Sequence, residues 1–337
     1  MASSPSPAPT PAAIFDTMRA FEKSAALNAA IDLGIFTAIA EGANTAPAIS
    51  EKCEASERGT RILCDSLVTD GHLTKAEGLY NNTPAAALFL NRHSPAYMGG
   101  IKQFLCTPEM MIHTMTTLTD AVRKGGTMLP GEGSVSPENP VWVTFARTMA
   151  PMMMPSAHAI ASHVPATGPL KVLDIAASHG LFGITIAQRN PEAVIVQQDW
   201  ASVLEVATEN AVKAGVAARC SSLPGSAFDV YFGTDYDIVL ITNFLHHFNA
   251  ATNEAFLRKV HAALKPGGRA ITLEFVPDED RVTPATPARF ALTMLSSTAE
   301  GDAFTFRELD SMLRNAGFTD NVRHLLETQQ SILISTK

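Results

Sequence analysis

The rhythm of hydrophobic and polar positions changes once along the chain, near residue 165. From residue 15 to about residue 90, apolar residues recur at helical spacing in short stretches that end at turn residues. Thr45 and Ser56 stand where helix N-caps are expected, and HLTKAEGLYNN predicts a small hairpin with Gly78 at its turn. Three short helices followed by a hairpin predict a winged-helix arrangement.

After residue 165 the pattern alternates between strands and helices. Apolar runs bounded by loops predict the strands LKVLDI, AVIVQQD, YDIVLITNFL and RAITLEFV, and LFGITIAQ and the stretch from Thr252 to Leu264 are predicted helices. HLLETQQSILIST is expected to supply one additional strand. Strands that alternate with helices of this length predict a parallel sheet covered on both faces. The predicted fold class is therefore α/β.

The segment between Ser94 and Pro165 is helical in pattern and rich in methionine and proline. In MAPMMMPSAHAIASH the methionines cannot all face one side of a helix, and Pro151 and Pro155 are expected to interrupt it. Flexible methionine side chains fill irregular cores, but they also line apolar pockets between domains. Both interpretations stay open on the sequence alone.

Charge limits the expected partners. The 337-residue chain has 33 acidic and 25 basic residues, which gives a net charge of −8 with histidine neutral. Nucleic-acid binding depends on basic surface that releases counterions, and the third predicted helix, where a recognition helix would lie, carries more acids than bases. Nucleic acid is therefore not an expected partner, and the winged-helix region is expected to serve dimerisation or packing.

Targeting and membrane segments are not expected. MASSPSPAPTPAAI lacks the regions of a signal peptide and predicts a flexible leader, and no uncharged apolar run approaches membrane-spanning length. The four cysteines are scattered without CxxC spacing, which argues against a disulfide framework and a zinc site. These features predict a cytoplasmic protein.

Candidate chemistry begins at VLDIAASHG, the turn after the first parallel strand, where nucleotides usually bind. Asp174 precedes this turn, and Asp199 closes the second strand, where a carboxylate accepts hydrogen bonds from ribose hydroxyls. Ala176 and Ser178 replace glycines and tolerate positive φ poorly, so the loop disfavours a pyrophosphate and permits a nucleoside without phosphates. S-adenosylmethionine is such a nucleoside. Ordinary packing of helix against sheet is the alternative explanation for the two small residues.

Six segments in a fixed order resemble those of one enzyme family. VLDIAASHG, QQDW, LITNFLHHF, LKPGG, LEFV and FTFRELDSMLRNAGF resemble class I S-adenosylmethionine-dependent O-methyltransferases of the plant caffeate and acetylserotonin type and their bacterial relatives. The similarity spans nearly the whole chain after a leader over residues 1–12. It implies an all-α winged-helix dimerisation domain over 13–95, a helical linker over 96–165 that contributes to the substrate pocket, and a Rossmann-like catalytic domain over 166–337. A homodimer that binds S-adenosylmethionine and releases S-adenosylhomocysteine is therefore expected.

The cofactor residues that the resemblance implies lie at the ends of several strands. The residues of the first loop line the methionine and ribose portion of the cofactor. Asp199, at the end of the second strand, binds the ribose hydroxyls, and Trp200 lies against the adenine. Two more residues stand where the family has an acid and an aromatic residue at the amino edge of the adenine. The set is Asp174, Ala176, Ser178, Gly180, Asp199, Trp200, Ser226, Ala227 and Asn243.

The family's general base is the histidine of an LHDW-like segment, which reads LHHF here. His246 matches that histidine, and Glu274 in LEFV matches one of two acids beside the base. The second acid falls on Ala303, next to Asp302, so one orienting carboxylate is absent, and His247 takes the place of the acid that follows the base. Adjacent histidines at a strand end are also ordinary polar caps. A metal is not expected, because no pair of carboxylates stands near His246.

The resemblance implies methyl transfer to the hydroxyl group of a small aromatic compound of secondary metabolism. In such an in-line displacement positioning supplies about 7 to 11 kcal/mol, and a general base adds roughly 10² to 10⁴ in rate. Transfer to carbon or nitrogen and a non-methylating cyclase stay open because of the missing acid, and a winged-helix regulator that senses S-adenosylmethionine is the alternative from another class. The expected substrate-pocket residues are Phe145, Met149, Met153, His247, Phe290 and Met294.

Overall fold

The computed structural model describes residues 10–337, apart from the side chains of Pro108 and Glu109. Residues 1–9, most of the predicted leader, lie outside the described residues. The chain divides into two compact units, with the division between Thr107 and Pro108. The finer domain boundaries expected from the sequence stay predictions.

The first unit is built from short helices and one antiparallel hairpin. Its elements are α1 (Ala12–Met18), α2 (Ala20–Leu33), α3 (Ile35–Ala40), α4 (Ala46–Lys52), α5 (Glu57–Thr69), β1 (Leu73–Ala76), β2 (Leu79–Asn82), α6 (Pro84–Phe89) and α7 (Lys102–Leu105). The Thr45 and Ser56 side chains accept hydrogen bonds from the backbone at the starts of α4 and α5, which confirms the predicted caps. Gly78 lies in the hairpin turn with a φ of +81°, as predicted.

Within residues 10–337, a seven-stranded sheet forms the centre of the second unit. Its strands are β3 (Leu170–Ile175), β4 (Ala193–Asp199), β5 (Cys220–Pro224), β6 (Tyr236–Thr242), β7 (Leu264–Glu274), β8 (Thr319–Leu325) and β9 (Ser331–Thr336). The order is β5-β4-β3-β6-β7-β9-β8, in which the first five strands are parallel and β9 and β8 are antiparallel.

The parallel sheet and the additional C-terminal strand, β9, were predicted, but the edge strands β5 and β8 were not. The C-terminal segment forms two strands instead of one, because β8 pairs with β9 as an antiparallel partner at the sheet edge. The strand β5 was not predicted, since CSSLP is short and largely polar and lacks the apolar run of a buried strand.

Helices cover both faces of this sheet. The α-helices of the second unit are α8 (Pro108–Lys124), α9 (Val141–Thr148), α10 (Ala150–Ser162), α11 (Leu181–Arg189), α12 (Ala201–Lys213), α13 (Ala250–Ala263), α14 (Ala285–Ser297) and α15 (Phe306–Asn315). The helices α13 and α15 pack against the face that carries Leu173 and Val239. On the other face, Gly183 of α11 lies against Asp174 so closely that an added Cβ would come within 2.9 Å of the carboxylate.

The methionine-rich segment is helical where prolines were expected to interrupt it. Pro151 lies in the first turn of α10, where a backbone N–H has no intrahelical partner. Pro155 lies inside the helix, which nevertheless continues to Ser162. Met153 is buried, whereas Met154 is exposed, so the methionines face different sides as predicted.

Candidate active site

Polar side chains collect at the carboxyl ends of four neighbouring parallel strands. Asp174 lies one residue before the end of β3, Asp199 ends β4, Asn243 follows β6 directly, and Glu274 ends β7. Since β4, β3, β6 and β7 are adjacent and parallel, these residues lie along one edge of the sheet. This edge is where ligands bind in open parallel sheets.

The loop between β3 and α11 has the backbone of a glycine-rich nucleotide loop. Ala176, Ser178 and Gly180 have left-handed φ values of +50°, +53° and +72°. Left-handed backbone costs a residue with a Cβ roughly 1 to 2 kcal/mol. The strand β4 holds the loop in place, because the Ser178 N–H donates to Asp199 Oδ2 at 2.8 Å and the Ala176 N–H donates to Gln198 Oε1 at 3.3 Å. The expected difficulty with positive φ is therefore present as strain.

Both loop acids are buried. Asp174 Oδ2 accepts from the Gly183 N–H at 3.0 Å, and burial raises the pKa of Asp174 to about 7. Asp199 Oδ1 accepts from the Trp200 N–H at 2.7 Å, and burial raises the pKa of Asp199 to about 6. The negative charge of Asp199 also raises the pKa of Asp174, because a like charge nearby disfavours the ionised form. A ligand that supplies positive charge or hydrogen-bond donors would stabilise their ionised forms.

The donor and acceptor groups of this loop fit S-adenosylmethionine. Asp174 Oδ1 and Ser178 Oγ are buried and have no hydrogen-bond partner among the described residues. Buried polar atoms are nearly always paired, so these two atoms indicate a missing partner. The ammonium group and ribose hydroxyls of S-adenosylmethionine are donors of the required kind. Asp174, Ser178 and Asp199 would hold it.

The predicted adenine residues lie beside Asp199. Trp200 follows Asp199 and packs against a small apolar cluster between α9 and α12. The Gly225 N–H donates to the Asp199 carbonyl at 3.0 Å, which brings the loop with Ser226 and Ala227 next to the end of β4. The structure thus collects these residues at one side of the loop, and their contacts with adenine stay predictions.

The predicted base and its predicted orienting acid are in direct contact. His246 lies in a 3-10 turn, Leu245–His247, two residues after β6, and its Nδ1 is 2.5 Å from Glu274 Oε2. The other carboxylate oxygen, Glu274 Oε1, accepts from the backbone N–H groups of Phe244 at 3.0 Å and Leu245 at 2.8 Å. Both side chains are nearly fully buried. Three hydrogen bonds therefore fix the carboxylate, and the carboxylate fixes the imidazole ring.

Aromatic rings surround this pair. The ring centroids of Phe290 and His247 lie 4.8 Å and 4.3 Å from that of His246. Phe275 stacks on Phe290 at 4.2 Å, and Trp142 meets His247 edge-on at 5.3 Å. Burial and the neighbouring His246 lower the pKa of His247 well below its ordinary value of 6.5, so this ring is neutral.

The remaining predicted pocket residues spread over several elements. Phe145 on α9 lies 6.3 Å from the His179 ring, and Met153 Sδ lies 3.7 Å from Asn243 Nδ2. Met149 and Met294 are buried, and Met294 lies one helical turn after Phe290 on α14. Roles in acceptor binding stay predictions for all of them.

The position of the missing second acid is filled by a buried apolar residue. Ala303 is fully buried, and the Asp302 side chain next to it accepts from Arg281 instead of turning to the base. Only the Asp302 backbone N–H reaches His246, donating to the carbonyl oxygen at 2.9 Å. Asp302 therefore does not replace the missing carboxylate, and among the described residues Glu274 supplies the carboxylate that binds the His246 ring.

Three residues of this region were missed by sequence reasoning. Trp142 stands three positions before Phe145 on α9, a helical spacing that could have linked the two rings. His179 lies within VLDIAASHG, and the sequence pattern assigned it no role. Gln330 donates to Asn243 Oδ1 at 2.7 Å and accepts from Ser156 Oγ at 3.0 Å, and no local signal in the sequence marks it.

Two further observations concern the described residues. Within residues 10–337, no three His, Cys, Asp or Glu side chains group closely enough to hold a metal ion. None of the described helices combines the length and the apolar character needed to cross a membrane.

A parallel sheet with this loop at its edge and a carboxylate-bound histidine beside it is the arrangement that the sequence predicted for an S-adenosylmethionine-dependent methyltransferase. Residues 15–92 match the family model of the O-methyltransferase dimerisation domain, and residues 138–319 match the O-methyltransferase domain. The chain belongs to this O-methyltransferase family.

Known proteins similar to the chain agree. A 3-hydroxy-5-methyl-1-naphthoate 3-O-methyltransferase of Streptomyces sahachiroi is 26% identical over 92% of this chain and 90% of its own length. A crystal structure assigned as an O-methyltransferase of Nostoc punctiforme is 50% identical, with a TM-score of 0.94 over 98% of this chain and all of that one. Human N-acetylserotonin methyltransferase, solved in complex with S-adenosylmethionine, shares the fold at 22% identity and a TM-score of 0.85 over 100% and 99% of the two chains.

Proposed function

We propose that this methyltransferase acts on a hydroxyl group of a small aromatic compound, with His246 as the general base and Glu274 as the residue that holds it. The observation that carries the proposal is the 2.5 Å contact between His246 Nδ1 and Glu274 Oε2. The carboxylate oxygen accepts the Nδ1 proton, so the tautomer leaves a lone pair on Nε2. That nitrogen is the atom that takes the proton of the acceptor.

A base of this kind suits a phenolic acceptor. Phenols have a pKa near 10 and keep their proton at neutral pH. The Nε2 atom of His246 accepts the hydroxyl proton as the oxygen attacks, and Glu274 stabilises the imidazolium ion that forms. When bound, S-adenosylmethionine supplies the electrophilic methyl group.

The surroundings of His246 favour an aromatic acceptor. Phe290, Phe275 and Trp142 provide ring faces and edges near the base, and the neutral ring of His247 adds another. Aromatic pairs in such arrangements contribute about 0.5 to 1.5 kcal/mol beyond the burial of their area. The name of the Streptomyces sahachiroi relative describes an acceptor with a hydroxylated double ring, which supports the same class.

A second copy of the chain is the proposed partner of the first unit. The helices α1 and α2 expose apolar side chains that a monomer has no reason to leave in water: Ile14, Phe15, Met18 and Phe21 are 49% to 69% exposed. Phe15, Met18 and Phe21 lie in the first part of the match to the dimerisation domain, which begins at residue 15. We therefore propose a homodimer. A cytoplasmic location is proposed because the four cysteines are free.

The test is incubation with S-adenosylmethionine and a panel of phenols, aromatic amines and activated carbon acids, followed by mass spectrometry. The expected product carries one additional methyl group on a phenolic oxygen. H246Q should lower turnover roughly 10²- to 10⁴-fold, because the base is removed while the cofactor loop is intact. H158Q, on the exposed face of α10, is the matched control and should behave as wild type.

Methylation of carbon or nitrogen only, or full turnover by H246Q on a phenol, would contradict the proposal. Binding of S-adenosylhomocysteine by each variant, measured by calorimetry, separates loss of the base from loss of the fold.

A further inference from the structure

His179 stands in the nucleotide loop, between Ser178 and the start of α11, and its surroundings fix its tautomer. The side chain is 1% exposed. Its Nδ1 accepts a hydrogen bond from the Leu181 N–H at 3.1 Å, at the start of α11. A neutral imidazole that accepts at Nδ1 carries its proton on Nε2. The ring therefore presents one N–H donor, turned away from Leu181 by the shape of the five-membered ring.

The ring stays neutral. Burial lowers the pKa of His179 to about 4, so protonation does not disturb this tautomer near neutral pH. Rings on both sides enclose it: Phe145 of α9 lies at 6.3 Å with the two planes inclined by 20°, and Phe182 of α11 lies at 5.8 Å.

The Nε2–H donor has no partner among the described residues. A buried donor without an acceptor loses its hydration and gains nothing in return, which is why such groups are rare in native proteins. The two other unpaired atoms of this loop, Asp174 Oδ1 and Ser178 Oγ, already indicate a ligand here. His179 differs from the Asp174 carboxylate because its Nε2–H donates a hydrogen bond, whereas an ionised carboxylate only accepts one.

The ligand group that His179 meets must be an acceptor. S-adenosylmethionine has an ammonium group and ribose hydroxyls, which suit the carboxylates of Asp174 and Asp199, and one carboxylate, which the acids would repel. Within the described residues, no Lys or Arg side chain forms a hydrogen bond or an ion pair with loop 174–180. Among the described residues, the Nε2–H of His179 is therefore a donor that this loop itself offers to that carboxylate.

We infer that His179 binds the carboxylate of the cofactor's methionine portion through its Nε2–H, while its Nδ1 caps α11. The Phe145 ring of α9 lies beside this imidazole, 6.3 Å from it. The inference depends on the cofactor assignment and adds a binding residue to it.

The test compares two ligands that differ only in the carboxylate, S-adenosylmethionine and its decarboxylated form, by calorimetry on the full chain. H179F keeps an aromatic ring but removes the N–H. It should weaken binding of S-adenosylmethionine by about 10- to 100-fold, since hydrogen bonds to charged groups are the stronger ones, and leave binding of the decarboxylated ligand unchanged. H158F, the same substitution on an exposed helix face, should change neither. Equal weakening for both ligands, or no weakening at all, would overturn the inference.

A second variant and a second measurement distinguish a loss of binding in H179F from a loss of folding. H179N keeps a side-chain oxygen for the Leu181 N–H and an amide N–H, and it should recover part of the selectivity for the carboxylate. In wild type labelled with ¹⁵N-histidine, the Nε2–H resonance of His179 should shift with S-adenosylmethionine and not with its decarboxylated form; a resonance that ignores both ligands indicates a buried water partner and overturns the inference. Failure of wild type to bind either ligand would overturn the cofactor assignment as well, which distinguishes the two failures.

Discussion

Two buried histidines stand at the ends of the neighbouring strands β3 and β6, and they have opposite tautomers. His246 donates from Nδ1 to Glu274, so its Nε2 accepts a proton. His179 accepts at Nδ1 from the backbone of α11, so its Nε2 donates. A histidine can therefore accept a proton after one strand and donate a hydrogen bond after the next. The contact at Nδ1 determines which of these roles Nε2 takes.

E274Q should break this contrast with the largest effect. The amide oxygen still accepts from the backbone of Phe244 and Leu245, but the amide nitrogen donates to His246 Nδ1 and moves the imidazole proton to Nε2. Turnover on a phenol should fall roughly 10²- to 10⁴-fold with S-adenosylhomocysteine affinity unchanged, as measured by steady-state kinetics and calorimetry. E209Q removes a surface ion pair with Arg147 and is the control. Retained turnover in E274Q would show that Glu274 does not set the tautomer.

D174N tests whether burial raises the pKa of Asp174, the acid in the same loop as His179. The pKa of Asp174 rises from 3.8 to about 7 on burial, so between these values the folded protein holds a proton that the unfolded chain has released. Wild-type stability therefore falls from about pH 4 to about pH 7, and the variant lacks this loss. Without ligand, D174N should match wild type near pH 4 and exceed it by up to ~4 kcal/mol above pH 7, at ~1.36 kcal/mol per pKa unit.

Urea unfolding of both proteins at several pH values measures this difference. His179 and His247 have the opposite effect, because burial lowers their pKa values and the protein loses stability as the pH falls below about 6.5. Both histidines are present in D174N and in wild type, so their contributions cancel in the difference. A difference between D174N and wild type that does not change with pH would contradict the assignment of a raised pKa to Asp174.

Of these variants, A176G should have the smallest effect, and it should raise the free energy of unfolding, whereas most substitutions lower it. It relieves left-handed strain of roughly 1 to 2 kcal/mol and costs about 0.5 to 1 kcal/mol in chain entropy, so a net gain in stability of at most ~1.5 kcal/mol is expected. Ala177 has no left-handed φ, and A177G, the matched control, should lose stability. Thermal unfolding of the two variants decides the matter; destabilisation by A176G would mean that its Cβ makes contacts that outweigh the strain.

Much of the fold follows from patterns that the sequence carries locally. The alternation of apolar strands with helices predicts the parallel sheet, and the Thr45 and Ser56 caps predict helix starts, because each depends on a few adjacent residues. Local patterns do not predict the edge strands β5 and β8, because pairing with a neighbouring strand stabilises them more than their own composition does.

The site divides in the same way. His246 and Glu274 follow from the resemblance at matching positions, although they are 28 residues apart and no local pattern joins them. The role of His179 depends on a ring tautomer and on an absent acceptor, and Gln330 reaches Asn243 from the turn between β8 and β9. Such contacts are made by the folded chain, so no motif marks them in advance.

The most direct test of the central claim, that His246 held by Glu274 takes the acceptor's proton, uses phenols of graded acidity. Single-turnover methyl transfer is measured for wild type and H246Q at one pH near 7. The ratio of the two rates should fall from roughly 10² to 10⁴ for phenols of pKa near 10 toward 1 for phenols that are already ionised, because an ionised phenol needs no base. A ratio that is the same for every phenol would contradict the account.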